Sequence, residues 1–231
     1  MPKIETVLSP ALFQYYQNNL ENKNVVVIDI LRATTSMIVA MENGAKSIFP
    51  VENIETALSL KTDTNIIAGE RNGLKVEGFD LGNSPQEFTK SIVQDKNIVI
   101  STTNGTKAID LSKGAKNIFV ASFRNLNAMA NFIKTSNQDV LLFCAGWKNK
   151  CNIEDTLFAG AMIELLFDEN TTFETSDDSS HLAFDIWKSA KSNLFQYLQK
   201  ASHVKRFQTL HVESDLEVCL KMNTYNNVLK F

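Results

Sequence analysis

The chain predicts an α/β fold of layered α/β/α type, with a mostly parallel sheet that leaves room for a mixed edge and extra helices at the C-terminus. Three observations carry this reading. Short runs rich in Val and Ile recur, as "NVVVIDIL", "KSIFPV", "NIIAGE", "NIVIST", "NIFVAS" and "DVLLFCA". Segments with helical patterning separate those runs, the alternation expected of β-α-β units in a parallel sheet. At 231 residues the chain is also long enough to bury a core without disulfide staples.

The helices are placed between the runs. "ATTSMIVAMENGA" follows the first, with Gly44 as the C′ residue that ends it. "NIETALSLK", "SPQEFTKSI", "GTKAIDLS" and "NLNAMANFIK" follow in turn. In "GFDLGNSPQEFT", Ser84 reads as an N-cap, Pro85 as the first helical residue, and Glu87 as the acid that completes a capping box. The clearest helix is "IEDTLFAGAMIELLF"; the polar "DENTTFETSDDSS" after it reads as a surface loop. Further helices fill residues 181–222, and "NNVLKF" forms a last edge strand. Residues 1–231 read as one α/β unit with no visible boundary; a division into two subdomains would fall near 115–125.

Composition excludes several classes. A net charge of -3 and a pI near 5.7 leave no broad basic face for nucleic-acid phosphates. No apolar run approaches the roughly 20 residues of a membrane span. The odd set Cys144, Cys151 and Cys219 lacks zinc-site spacing and reads as free thiols in a reducing compartment, so a cytoplasmic protein is expected. A homodimer is the default assembly.

In an open α/β sheet, ligands bind beyond the carboxyl ends of the strands. The residues leaving each run form a consistent set. "NVVVIDIL" exits into Asp29 and Arg32, "NIIAGE" into Glu70 and Arg71, and "NIVIST" into Thr103, Asn104, Gly105 and Thr106. "NIFVAS" exits into Arg124, and "DVLLFCA" leads to Glu154 and Asp155. Three of the four arginines lie there, and a planar guanidinium grips phosphate, carboxylate or sulfonate oxygens. Acids and arginines on one sheet edge suit a divalent metal and a small polyanionic substrate.

Each motif has a plainer reading beside this one. A buried Asp29 could pair with Arg32 and only tether the helix start. "TTNGT" could be an ordinary turn with a threonine cap or an anion nest, but it is no Walker loop. Glu154 and Asp155, in a first helical turn behind Asn152 as N-cap, complement the helix dipole or hold a metal; with Asn152 capping, Asp155 faces the site. Asp80 and Asn83, on the glycine-flanked loop before Ser84, suit a metal or an anion rather than a cap. His181, His203 and His211 read as surface or packing residues, and Cys144 as a small buried hydrophobe. The position two after Asp29 is Leu31, which rules out the paired aspartates of haloacid-dehalogenase-type phosphatases.

Taken in order, "VVVIDILRATTSM", "AGERNGLKVEGFDLGNSPQEF", "STTNGTKAI", "ASFRNLNAMA" and "CAGWKNKCNIEDTLFAGAM" resemble the 2-phosphosulfolactate phosphatase family over residues 24–165. The tail "SHVKRFQTLHVESDLEVCLKMNTYNNVLKF" matches only loosely. The resemblance implies a Mg²⁺-dependent acid phosphatase that converts 2-phospho-3-sulfolactate to 3-sulfolactate, a step toward coenzyme M. It maps functional positions onto Asp29, Arg32, Glu70, Arg71, Asp80, Asn83, Thr103, Asn104, Thr106 and Asp155. Asp29, Glu70, Asp80 and Asp155 are then the metal candidates, and Asp29, Arg32 and Asp155 the catalytic ones. Arg32, Arg71, Asn83, Thr103, Asn104, Gly105, Thr106 and Arg124 would hold the substrate. The attacking group is water or Asp29 itself, with water preferred. A non-catalytic anion or nucleotide sensor, a nucleotide-using transferase and a phosphatase for another small anionic phosphoester are the rival readings.

Overall fold

The computed structural model describes residues 1–167, 173–210 and 213–231. In chain order the strands are β1 (Ile4–Val7), β2 (Asn24–Ile28), β3 (Ser47–Pro50), β4 (Asn65–Arg71), β5 (Leu74–Lys75), β6 (Asn97–Ser101), β7 (Asn117–Ala121), β8 (Val140–Cys144) and β9 (Leu229–Lys230). The helices are α1 (Ala33–Glu42), α2 (Ile54–Ser59), α3 (Lys90–Val93), α4 (Gly105–Leu111), α5 (Leu126–Ser136), α6 (Ile153–Leu166), α7 (Asp178–Ala190), α8 (Leu194–Leu198), α9 (Ser202–Leu210) and α10 (Ser214–Leu220). The α/β class stands, but the strands divide between two sheets.

The larger sheet has the order β1-β8-β2-β7-β9, parallel except for the terminal edge strand β9 on β7. The smaller has the order β3-β6-β4-β5, parallel except for β5. β1, "IETV", lies outside the apolar runs, yet it pairs along β8 in full register.

Burial explains why the runs are continuous rather than alternating. In β2, Val26 and Ile28 pack into one core with α5, α6 and α7, while Val25 and Val27 face a second core shared with β6 and α1. In β8, Leu142 and Cys144 join the first core, Leu141 and Phe143 the second. Helix α1 is buried from Ala33 to Ala40 between the two sheets, so it shows no polar stripe. The smaller sheet has a thinner outer layer, in which Ala57, Ile67, Phe79 and Val99 form a separate cluster.

Local chemistry sets the ends of these elements. Gly44 (φ +91°) closes α1: its N–H donates to Met41 O, and Ala45 N–H donates to Ala40 O, the double bond of a Schellman motif. Helix α6 is buried on all sides, and Gly160 lets α7 approach; a Cβ there would lie 2.0 Å from Ala183 O. The helix expected over "SPQEFTKSI" is instead a 3₁₀ turn at Pro85–Glu87 followed by the single turn of α3. Phe88 turns fully into the core between them. The capping box does not form: Ser84 Oγ donates to Asp215 Oδ1 (2.6 Å), and Glu87 Oε2 accepts from Gly82 N (2.8 Å).

The polar stretch after α6 falls partly outside the described residues. Its described part, residues 173–180, is no free loop. Thr175 Oγ1 donates to Ile4 O, and Asp177 caps α7 while accepting from Thr6 N. Among the described residues no helix is long and apolar enough to cross a membrane. All three cysteines are free, with Cys144 and Cys219 buried.

Candidate active site

Beyond the carboxyl ends of β2, β4 and β6 lies a cleft lined by Asp29, Arg32, Glu70, Asn83 and Asn104, and walled by residues of α9 and of the loop after β8. Three hydrogen bonds hold the Asp29 turn. Asp29 N donates to Thr34 Oγ1, while Thr34 N and Thr34 Oγ1 donate back to Asp29 O. Gly105 gives the carboxylate its room, since a Cβ there would lie 2.9 Å from Asp29 Oδ2 and 2.5 Å from Ala33 Cβ.

Burial is the main reason the Asp29 carboxyl is pushed up to about 6. Glu70 and Glu154 push the same way, and His203 and the Ala33 N–H oppose them. Glu70 is clamped by two amides, with Oε1 accepting from Thr103 N (2.7 Å) and Oε2 from Gly73 N (2.6 Å).

Asp155 sits behind the cleft. Its Oδ1 accepts from Ile30 N (2.9 Å) and its Oδ2 from Gly146 N (3.0 Å), which ties the loop after β2 to the loop after β8. Burial, then Glu154 and Asp29, raise its carboxyl well above the usual range. Asn152 stands at the N-cap but makes no side-chain cap bond, and the neighbouring Glu154 bonds His203 Nδ1 through Oε1 at 2.6 Å.

Several sequence-predicted residues stand elsewhere or are already engaged. Asp80 is exposed and pairs with Lys61 (2.6 Å), while its Oδ2 accepts from Ile67 N. Partial burial works upward on its carboxyl, but the Lys61 hydrogen bond and charge and the Ile67 N–H bring it below its ordinary value. Asp80→Asn is accordingly expected to change stability by under about 0.5 kcal/mol, read by urea unfolding.

Arg71 donates to the carbonyls of Glu70, Ser101 and Glu52 and to Ser101 Oγ, bracing the smaller sheet. Arg124 donates to Glu42 and to Val218 O, tying α1 to α10. Arg32 does line the cleft, but its guanidinium pairs with buried Asp215 and donates to Gly73 O, so the plain ion-pair reading has the right character with a distant partner.

The expected anion nest is likewise engaged. Thr103 N serves Glu70, and Thr106 N bonds Thr102 Oγ1 while Thr106 Oγ1 returns to Thr102. Asn104 remains on the cleft wall, and Gly105 serves through its missing side chain.

Sequence reasoning missed the far wall. His203, read as a packing residue, lines the cleft beside Trp147, Arg206 and Phe207. Its ring stands edge-on to Phe207 at 5.3 Å between centroids, and Arg206 lies 3.6 Å over the Trp147 ring. The spacing of Glu154 and His203, far apart in sequence, carried no signal; the lone fourth arginine was the available hint. His181 is exposed, and His211 lies outside the described residues.

Among the described residues, three buried polar atoms lack any partner: Asn83 Oδ1, Thr103 Oγ1 and Arg206 Nη2. Buried polar atoms are normally satisfied, and Asn83 and Arg206 both line the cleft, so these two orphans point to a ligand there. Among the described residues no group of three or more His, Cys, Asp or Glu side chains is placed to hold a metal ion, so no three of the candidates Asp29, Glu70, Asp80 and Asp155 gather as ligands. Magnesium, however, commonly binds through one or two carboxylates with waters and substrate oxygens completing its shell. Asp29, Glu70 and the unpartnered Asn83 amide oxygen fit that smaller donor set.

A family model described as 2-phosphosulpholactate phosphatase matches residues 11–231. A protein of Caldanaerobacter subterraneus subsp. tengcongensis is 39% identical over 216 residues, covering 92% of this chain and 89% of the relative. One from Thermotoga maritima is 36% identical over 97% of this chain and 93% of its own length. One from Clostridium novyi is 33% identical over 99% and 97%. All three carry the name "Probable 2-phosphosulfolactate phosphatase". The likeness therefore does not fade after residue 165: it runs through α9 and α10, which the fold needs to wall the cleft and to hold Arg32. With the match extending from residue 11 to residue 231, the chain belongs to the 2-phosphosulpholactate phosphatase family.

Proposed function

We propose that this chain hydrolyses the phosphomonoester of 2-phospho-3-sulfolactate to 3-sulfolactate and phosphate, with Mg²⁺ as its cofactor. The observation that carries the reading is one cleft holding two buried carboxylates, Asp29 and Glu70, together with the unpartnered atoms of Asn83 and Arg206. Asp29, Glu70 and Asn83 would hold the cation. When bound, Mg²⁺ neutralises charge on the phosphoryl oxygens.

The remaining chemistry belongs to side chains of this chain. Asp29, as the carboxylate, accepts a proton from the attacking water. Asn104 orients phosphoryl oxygens from the loop after β6. Glu70 keeps that loop in place through the Thr103 N–H, and Asp155 does the same for the loops after β2 and β8. His203, braced by Glu154, and the rings of Trp147 and Phe207 limit water on the far side. Free thiols fit a reducing, cytoplasmic setting.

The test is phosphate release from racemic 2-phosphosulfolactate. Turnover is expected with Mg²⁺, loss with a chelator, and recovery when Mg²⁺ is returned. Binding without any release would replace the enzyme reading with that of an anion sensor.

A further inference from the structure

The cleft contains two guanidinium groups in different states. Arg32 is neutralised by Asp215, which is itself buried and also accepts from Ser84 and Gln86. Arg206, on α9, has no such carboxylate: its Nη2 is buried with no partner, and its guanidinium carbon lies over the Trp147 ring. Stacking fixes the direction of the fork while leaving its edge donors free. Burial weakens this cation's hold on its proton, and only the more distant Glu154 and Glu70 act the other way. A guanidinium with a buried, unpartnered Nη2 and no carboxylate partner is a site waiting for an anion.

Which anion follows from the neighbours and from the shape of the proposed substrate. Asp29 follows β2, Glu70 closes β4 and Asn83 lies just before the Pro85–Glu87 turn, and this set suits the phosphoryl end. Arg206 lies over the Trp147 ring, and Phe207 and Leu210 of the same helix add apolar surface to that wall of the cleft. In 2-phospho-3-sulfolactate the carboxylate shares its carbon with the phosphoester, whereas the sulfonate sits one carbon further away. The sulfonate is also the more diffuse and weakly hydrated anion, so it loses less on entering an apolar wall.

Building on the function proposed above, we infer that Arg206, seated over Trp147, is the specificity-determining residue that selects the sulfonate of the substrate. Removing one charge-assisted contact of this kind changes affinity on the order of 10- to 100-fold. The experiment compares 2-phosphosulfolactate with 2-phospholactate, which differs only by the missing sulfonate. In Arg206→Gln the ratio of kcat/KM for the first over the second is expected to fall about 30-fold. Arg206→Lys, which keeps the charge without the fork, should recover only part of the ratio, and Trp147→Leu should lower it by a smaller factor.

An equal fall on both substrates would overturn the assignment, because it would place Arg206 on the shared phosphate or carboxylate. An unchanged ratio would overturn it too. If the parent protein releases no phosphate from either compound, the phosphatase reading fails, and calorimetric binding of 3-sulfolactate decides the assignment separately. Binding to the parent that weakens about 30-fold in Arg206→Gln supports it. Equal binding to both proteins, or none to the parent, refutes it.

Discussion

Asp29→Asn is expected to lose phosphate release by about 10³-fold or more while making the metal-free protein more stable at neutral pH. Both effects come from one buried carboxylate. An aspartate unfolded in water titrates near its ordinary 3.8; in the cleft it is raised to about 6 by burial and by Glu70 and Glu154. Between these values the unfolded chain has released its proton while the folded chain still holds it. Stability therefore falls as pH rises from about 4 to about 6, and the folded state remains penalised above that window.

A shift of this size corresponds to about 3 kcal/mol on the linkage scale, or a melting difference of several degrees for a chain of this length. The neutral amide introduced by Asp29→Asn carries no such penalty, and it also relieves Asp155, whose carboxyl is raised in part by Asp29. Thermal melts of parent and variant in chelator, from pH 4 to pH 8, should converge at the acid end and separate toward neutrality. Parallel curves across the whole range would mean that the Asp29 carboxyl titrates alike in the folded and unfolded chains, and its burial would then have no bearing on its chemistry.

Arg32→Met should destabilise the fold by about 3–5 kcal/mol, because it leaves Asp215 buried without its cation. The loss should appear in urea unfolding before it appears in KM, which separates a structural ion pair from a substrate clamp. Adding Asp215→Leu should restore part of the stability. Recovery will be incomplete, since Ser84 Oγ and Gln86 Nε2 both donate to Asp215 and would lose their acceptor. A variant that folds as well as the parent but fails to bind substrate would return Arg32 to the binding role that its sequence position suggested.

Strand runs were readable because strands buried on both faces must be apolar throughout, as β2 and β8 are. β1 was not, since four residues with two polar side chains carry no pattern until β8 supplies the partner. Nor could local sequence announce two sheets: pairing β3 with β6, and β2 with β7 and β8, is settled by long-range packing around α1. The strand-exit rule placed Asp29, Glu70 and Asn104 at the cleft, because it follows from the topology of parallel sheets. It failed for Arg71 and Arg124, whose partners Glu52, Ser101 and Glu42 lie far away in sequence or across the fold, and the loop reading of Asp80 could not foresee its pairing with Lys61. Arg206 and His203 went unread for another reason: α9 is an ordinary amphipathic helix by pattern, and only docking shows which polar residues its buried side carries inward.

The late position of that wall has a bearing on synthesis. A nascent chain halted before α9 emerges has already made the acids at 29 and 70, but it has neither the guanidinium of Arg206 nor the Asp215 that steadies Arg32. The ribosome thus supplies the α9 wall of the cleft, and the partner of Arg32, after the strand-end loops that they complete. Prematurely ended products would carry exposed acidic loops with no enclosed chamber around them.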